Sequence, residues 1–468
     1  MFREFIQSGA TPAKDNAKVI ALNKKDAAAA EDTAQQQVEQ RALEAAANDR
    51  LELKARLHNR LLDTLNLSVL DKIESDVLRR EVGNLVTEGL REEGRALRGD
   101  GLKELVDELM HEVQGLGPLE PLLSDPTIND ILVNGHDQVY IERAGVLERS
   151  TCRFRDEKHL LRIIDKIVSR VGRRIDESQP WVDARLEDGS RVNAIIRPCA
   201  VDGPSVSIRK FAKVPLTMTR LTEGGALNDS AAALLQGLVD ARMNILISGG
   251  TGSGKTTMLN ALSSYISEAE RIVTIEDAAE LQLQQEHVLR LETRPAGPDG
   301  TGAILQRDLV KNALRMRPDR IIVGEVRGSE AFDMLQAMNT GHDGSMTTVH
   351  ANTPRDALSR VEQMVQMGGM ELPHSAIRAT IASALHFVVQ LNRLSDGSRK
   401  VMSISEITGM EGDTITMQEI FVFERQGKDE NGRILGQFRS TGIRPRAYEQ
   451  LIAAGVDMTN ISFTRGAA

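Results

Sequence analysis

Cysteine is nearly absent. The 468 residues include two, Cys152 and Cys199, and neither sits in a Cys-x-x-Cys or Cys/His spacing. That excludes a zinc module and a disulfide framework, and it makes the reducing cytosol the expected compartment. Aromatics make up 3%, with one Trp (Trp181) and three Tyr, too few for extensive stacking on bases or sugars. No run approaches the ~18 uninterrupted apolar residues of a membrane-spanning helix, and the first residues show no signal-peptide stretch, so any membrane role is expected to be peripheral. Positive charge is in deficit as well. Lys and Arg number 58 against 67 Asp and Glu, a net charge of −9, which argues against nucleic acid as the main partner.

What is present is an ordinary globular composition, 41% hydrophobic and 27% charged, long enough for two or three domains. Residues 1–50 carry Ala27 to Ala30, Gln35 to Gln37 and Ala45 to Ala47 with few large apolar side chains, and are expected to be a disordered tail. Apolar residues at three- and four-residue steps, Leu61 to Val86 and Leu102 to Val113, predict a helical bundle over 51–117. Short β-like runs (Asp130 to Val133, Val139 to Glu142, Arg191 to Arg197, Ser205 to Phe211) around the amphipathic stretch Leu160 to Val171 predict an α+β domain over 118–215. A hinge over 216–222, an α/β domain over 223–450 and a C-terminal tail over 451–468 complete the reading.

Gly249 to Thr256 reads GGTGSGKT, a phosphate-loop pattern between an apolar strand-like run, Asn244 to Ser248, and a helix-compatible segment. Glycines let backbone N–H groups converge on anionic oxygens, and the helix N-terminus adds partial positive charge. Gly250, Thr251, Gly252, Ser253, Gly254, Lys255, Thr256 and Thr257 are therefore the candidate nucleotide contacts. In this pattern Lys255 reaches the β- and γ-phosphates and the Thr256 hydroxyl is offered to Mg²⁺.

Three further strand-like runs end in titratable groups: Arg271 to Ile275 before Glu276 and Asp277, Arg320 to Gly324 before Glu325, and Met346 to Val349 before His350. In parallel α/β sheets ligands lie outside the carboxyl ends of strands, so these ends should converge with the loop on one crevice. A carboxylate there can activate water for attack on the γ-phosphate, another can hold the metal or its water shell, and a histidine can hydrogen-bond phosphate. Other residues leave two readings open. Asp277 or Glu280 could cap a helix beginning near Asp277. His342 could be a turn residue, and Arg315 and Arg317 could be surface or subunit-interface groups.

Taken in order, the loop at 249–256, the acidic box Thr274 to Leu281, the run Asp319 to Gly328 and the histidine box Thr340 to Pro354 resemble the secretion and type IV pilus ATPases, over about residues 60–450. Looser text (Leu291 to Pro295, Arg307 to Val310, Met338 to Gly344, Met410 to Gly412, Ile420 to Phe423) resembles the branch that powers tight-adherence (Tad/Flp) pili, and the missing tetracysteine module favours that branch or the type IV secretion branch. The resemblance implies a RecA-like motor domain behind a smaller α+β N-domain, acting as a cytoplasmic homohexameric ATPase. Such a ring docks on inner-membrane platform proteins and uses ATP and Mg²⁺. It implies Glu276 as the water-activating glutamate, Glu325 at the metal and His350 as the link to conformational change. Arg191 and Arg209 resemble the arginines that the N-domain places over the nucleotide. Two rivals are a nucleic-acid translocase and a nucleotide-gated scaffold that does not hydrolyse.

Overall fold

The computed structural model describes residues 49–50, 52–61, 74–95, 99–143, 145–211, 216–297, 300–369 and 371–465. The tail expected over 1–50 lies almost wholly outside them. By contacts the chain divides into two compact units, Met1–Lys210 and Phe211–Ala468.

In the first unit a helix at 52–61 (α1) is followed by α2 (Ser75–Glu92) and α3 (Asp100–Val113). Leu53, Leu57 and Leu61 stand four residues apart on one face of α1 and bury against Leu78, Val82, Val86 and Leu90 of α2 and Leu105 and Leu109 of α3. Gly89 is required by that packing, since a Cβ there would stand 2.5 Å from Leu57 Cδ2. Next come α4 (Glu120–Ser124), β1 (Ile128–Asn134), β2 (Val139–Arg143), β3 (Val146–Arg149), α5 (Glu157–Arg170), β4 (Trp181–Arg185), β5 (Arg191–Ile195) and β6 (Ser205–Arg209). The strands form an antiparallel sheet in the order β3-β2-β1-β6-β5-β4. Asp156 caps α5 by accepting from His159 N at 2.7 Å. Ile163, Ile164, Ile167 and Val168 of α5 cover one face of the sheet, meeting Ile131, Val133, Val192 and Ile208.

The second unit opens with α6 (Met218–Glu223), capped by Thr217, and α7 (Asp229–Asp240). Alternation then begins: β7 (Ile245–Gly249), α8 (Lys255–Ser263), β8 (Ile272–Glu276), β9 (Val288–Glu292), α9 (Gln306–Ala313), β10 (Arg320–Val323), α10 (Glu330–Asn339), β11 (Met346–Val349), α11 (Pro354–Met367) and α12 (His374–Ala384). Last are β12 (Phe387–Arg393), β13 (Arg399–Glu411), β14 (Thr414–Lys428), β15 (Ile434–Ser440) and α13 (Tyr448–Ala453). One nine-stranded sheet runs β15-β14-β13-β12-β7-β11-β10-β8-β9. Its pairs from β12 to β9 are parallel, and those from β12 to β15 antiparallel. Successive side chains of β7 enter different cores, Ile245 and Ile247 beside Leu234, Leu238, Leu259 and Leu262, and Leu246 beside Met334, Leu335, Val361 and Ile381. Both faces are covered, and for that reason the strand reads as an uninterrupted apolar run. The architecture is a RecA-like α/β domain preceded by an α+β domain, the fold class expected.

Two expectations are corrected. No helix begins at Asp277; residues 277–287 are irregular because the Glu276 carboxylate takes the Glu280 and Leu281 N–H groups. The chain after 450 is no loose tail, since Leu451 is fully buried and Ile461 is 6% exposed in the main core. Of the expected hinge over 216–222, residues 218–222 belong to α6.

Candidate functional site

The phosphate loop leaves β7 at Gly249 and enters α8 at Lys255. Gly252 (φ +68°) and Gly254 (φ +96°) hold left-handed backbone, which any other residue adopts at a cost. Ser253 N donates to Gly250 O at 3.3 Å. The Lys255 ammonium is folded onto the same loop, donating to Gly249 O at 3.0 Å and Gly250 O at 3.1 Å. Burial lowers its pKa, with the Glu325 carboxylate opposing. Thr256 and Thr257 are half-buried in the first turn of α8, where the helix dipole favours an anion; Thr251 is exposed, Gly250 half-buried and Ser253 buried.

Strand register brings the acidic ends to this loop. Val349 pairs with Ser248, so His350, which is exposed, follows at the level of Gly249. Val323 pairs with Ile275, which sets Gly324 beside Glu276. Thr348 Oγ1 donates to Gly324 O at 2.8 Å, tying the third strand end to the second. Glu325 Oε1 lies 4.0 Å from Lys255 Nζ. Arg327 Nε donates to Glu325 Oε2 at 2.8 Å and its Nη1 to Asp277 Oδ2 at 3.2 Å. Of the residues singled out from sequence, Lys255 and Glu325 thus meet directly, and Glu276 and His350 stand at the same edge of the sheet.

Glu276 is 4% exposed. Its Oε1 accepts from Glu280 N at 2.9 Å and Leu281 N at 3.0 Å, while its buried Oε2 makes no hydrogen bond within the described residues. Burial raises its pKa to about 6 against the pull of those two N–H groups. A carboxylate with that value holds a useful fraction of base near neutral pH and can still take a proton.

His342 precedes β11, at the strand end opposite His350, and Ser345 Oγ donates to its carbonyl at 2.8 Å, so its place is in a turn. Arg315 and Arg317 are exposed before β10, likewise at the opposite end. Arg191 and Arg209 belong to the first unit, paired side by side across β5 and β6 on the sheet face away from α5. Arg185 continues their row on β4, and Arg209 Nε lies 3.2 Å from Asp130.

Sequence reading missed Arg399. Its Nε donates to Gly252 O at 2.9 Å from the start of β13, a contact spanning 147 residues that no local pattern signals. Gly324 was missed as well, although a glycine between an apolar run and Glu325 is a visible sign of close packing.

Among the described residues no group of three His, Cys, Asp or Glu side chains is placed to hold a metal by itself. Mg²⁺ does not require one, because it is usually bound by one or two protein oxygens together with substrate phosphates and water. The half-buried Thr256 hydroxyl and the Glu325 carboxylate beside Lys255 are oxygen donors of that kind.

No described helix is long and apolar enough to cross a membrane. The chain is similar to a Mycobacterium tuberculosis protein with a provisional conjugal-transfer name, 40% identical over 310 residues, covering 65% of this chain and 88% of that one. It is 34% identical over 315 residues to the type IV secretion system protein PtlH of Bordetella pertussis, covering 61% of this chain and 91% of PtlH. Among solved structures, the Brucella suis VirB11 ATPase of a type IV secretion system, in complex with sulphate, matches at 29% identity and a TM-score of 0.33 over 62% of this chain and 95% of that one. Residues 112–436 match the family described as Type II/IV secretion system protein, and the chain belongs to that family of secretion ATPases.

Proposed function

We propose that this chain is a Mg²⁺-dependent ATP hydrolase that works as a cytoplasmic homohexamer and powers assembly of a Tad/Flp-type pilus through inner-membrane platform proteins. The observation that carries the hydrolase reading is the meeting of Lys255 and Glu325 at 4.0 Å at the strand edge that also holds the buried Glu276. In this reading the Lys255 ammonium exchanges its two loop carbonyls for phosphate oxygens, and N–H groups of the loop and of the first turn of α8 hold the rest of the phosphate chain. Mg²⁺, when bound through Thr256 and Glu325, neutralises charge on the transferred phosphoryl group. Glu276 orients the attacking water and accepts its proton at Oε2, while Oε1 stays fixed by backbone N–H groups. His350 hydrogen-bonds the phosphate end and reports its presence to α11.

Phosphate release tests the hydrolase. Wild type should turn over Mg-ATP steadily, Lys255→Ala should lose nucleotide binding, and Glu276→Gln should bind ATP without turnover. Normal turnover by Glu276→Gln defeats the assignment.

A second reading, a type IV secretion or conjugal-transfer ATPase, is supported by the names of the relatives at 40% and 34% identity. Deleting the gene separates them. Loss of a surface pilus with intact macromolecular export supports the Tad role, and the reverse supports the second reading.

A further inference from the structure

The peptide group between Gly252 and Ser253 is planar and trans, so its C=O and N–H point in opposite directions. Its carbonyl accepts from Arg399 Nε at 2.9 Å. Its N–H, that of Ser253, faces Gly250 O at 3.3 Å, the oxygen that Lys255 Nζ also reaches at 3.1 Å. Arg399 therefore grips the outside of the loop, and the donor on the other end of the same peptide is turned to the lysine's side.

Such a grip matters because Gly252 (φ +68°) and Gly254 (φ +96°) flank the segment. Glycine visits several backbone basins at little cost, so a peptide beside it rotates cheaply unless something outside holds it. The packing matches: Arg399 Cδ lies 3.5 Å from where a Cβ on Gly254 would stand, and Arg393 Nη1 lies 3.6 Å from that position on Gly252.

The strut itself is stiff. Leu391 of β12 pairs with Gly249, placing the β12–β13 turn beside the loop by strand register. The turn is closed by Leu394 N to Ser398 O (2.8 Å) and Gly397 N to Leu394 O (2.9 Å). Asp396 accepts from Ser398 N (3.0 Å), Ser398 Oγ (2.7 Å) and Ile434 N of β15 (2.7 Å). A side chain launched from paired strands is held more closely than one on a loop.

We propose that Arg399 is a positioning residue for nucleotide binding: by holding the Gly252 carbonyl outward it keeps the Ser253 N–H turned inward as a ready phosphate donor. The inference rests on the ATP reading above and adds that the loop's receptive shape is imposed from the antiparallel half of the sheet.

The test uses the full chain and measures ADP dissociation constants, kcat, KM and melting temperature for wild type, Arg399→Ala, Arg399→Lys and Lys255→Ala. Arg399→Ala is expected to weaken ADP binding about tenfold, the usual worth of one charge-assisted hydrogen bond. KM should rise with kcat and melting temperature little changed. Arg399→Lys should recover most of the affinity, because an ammonium can donate to the same carbonyl. Wild-type ADP affinity in Arg399→Ala overturns the proposal. So does equal impairment of the Ala and Lys variants, which would mean that the guanidinium serves in some other way. If Lys255→Ala also binds ADP normally, the ATP reading falls; if Lys255→Ala loses binding while Arg399→Ala does not, only this inference falls.

Discussion

A Cβ on Gly324 would stand 2.9 Å from Cγ of Glu276. The residue just before Glu325 therefore has to be glycine for the carboxylate on the neighbouring strand to keep its place, and two acidic strand ends are coupled through that one missing side chain. Gly324→Ala should push Glu276 aside and lower kcat between about tenfold and a hundredfold, the cost of misplacing a reacting group by around 1 Å. ATP affinity should be largely retained. Steady-state kinetics beside an ADP titration check this, and unchanged kcat would show that the Glu276 position is irrelevant to turnover.

Glu276 also makes a pH prediction with a definite sign. Its folded pKa, about 6, lies above the ordinary 4.5, so the fold favours the protonated form. The stabilisation from that preference is complete below 4.5 and is lost as pH rises through 6; above that, keeping the carboxylate buried costs about 2 kcal/mol. Turnover should therefore fall as pH drops through about 6, whereas Glu276→Gln should raise the melting temperature at about pH 8 and leave it nearly unchanged at about pH 4. Melts of both proteins at both pH values decide it.

Glu112 makes the opposite one. Its side chain is 2% exposed and meets Lys54 Nζ at 2.9 Å and His159 Nε2 at 2.9 Å, joining α1, α3 and α5. Arg155 N donates to His159 Nδ1 at 3.2 Å, which assigns the ring proton to Nε2, facing the carboxylate. Burial alone would raise the Glu112 pKa, but the His159 hydrogen bond and the Lys54 charge bring it down to about 2. Stability from this group is present above 4.5 and is lost as pH falls from there toward 2. Glu112→Ala takes the buried carboxylate from Lys54 and His159, leaving Lys54 only Glu108 at 4.0 Å, and should cost roughly 3–5 kcal/mol in a urea melt. A loss below about 1 kcal/mol, the range of exposed pairs, would refute the joint.

Deleting residues 454–468 should destabilise the second unit by at least about 3 kcal/mol, because Ile461 leaves the core beside Phe421 and Phe438 and the Phe463 ring leaves Phe421. Val456 goes too, from its seat against Gly237, where a Cβ would stand 2.6 Å from Val456 Cγ1. A truncated chain that melts like the whole protein would contradict this packing.

Much of the site was readable because its parts are short and local. The loop at 249–256 is eight consecutive residues, and Glu276, Glu325 and His350 each follow a short strand-like run of the kind found in doubly covered sheets. Other parts depend on partners far along the chain. A helix after Asp277 was a fair expectation from its acidic start, but the Glu276 carboxylate claims the N–H groups of 280 and 281 first. Strands β13 to β15 escaped notice because they are buried only in places. Much of β14, from Thr414 to Lys428, is half-exposed or exposed, so no clean period of two survives in its sequence. Val456, Ile461 and Phe463 look dispensable in a polar context until Gly237 and Phe421 receive them.

The amino-acid order by itself determined the glycine-rich loop at 249–256, the candidate side chains around it, and the alternation of strand and helix in its domain, because each of these is written in neighbouring residues. Which groups stand next to that loop was decided only in three dimensions. Glu325 reaches Lys255, and Arg399 reaches Gly252, through pairings between strands far apart in the chain. Register of that kind depends on the packing of both sheet faces at once, a property no single segment possesses.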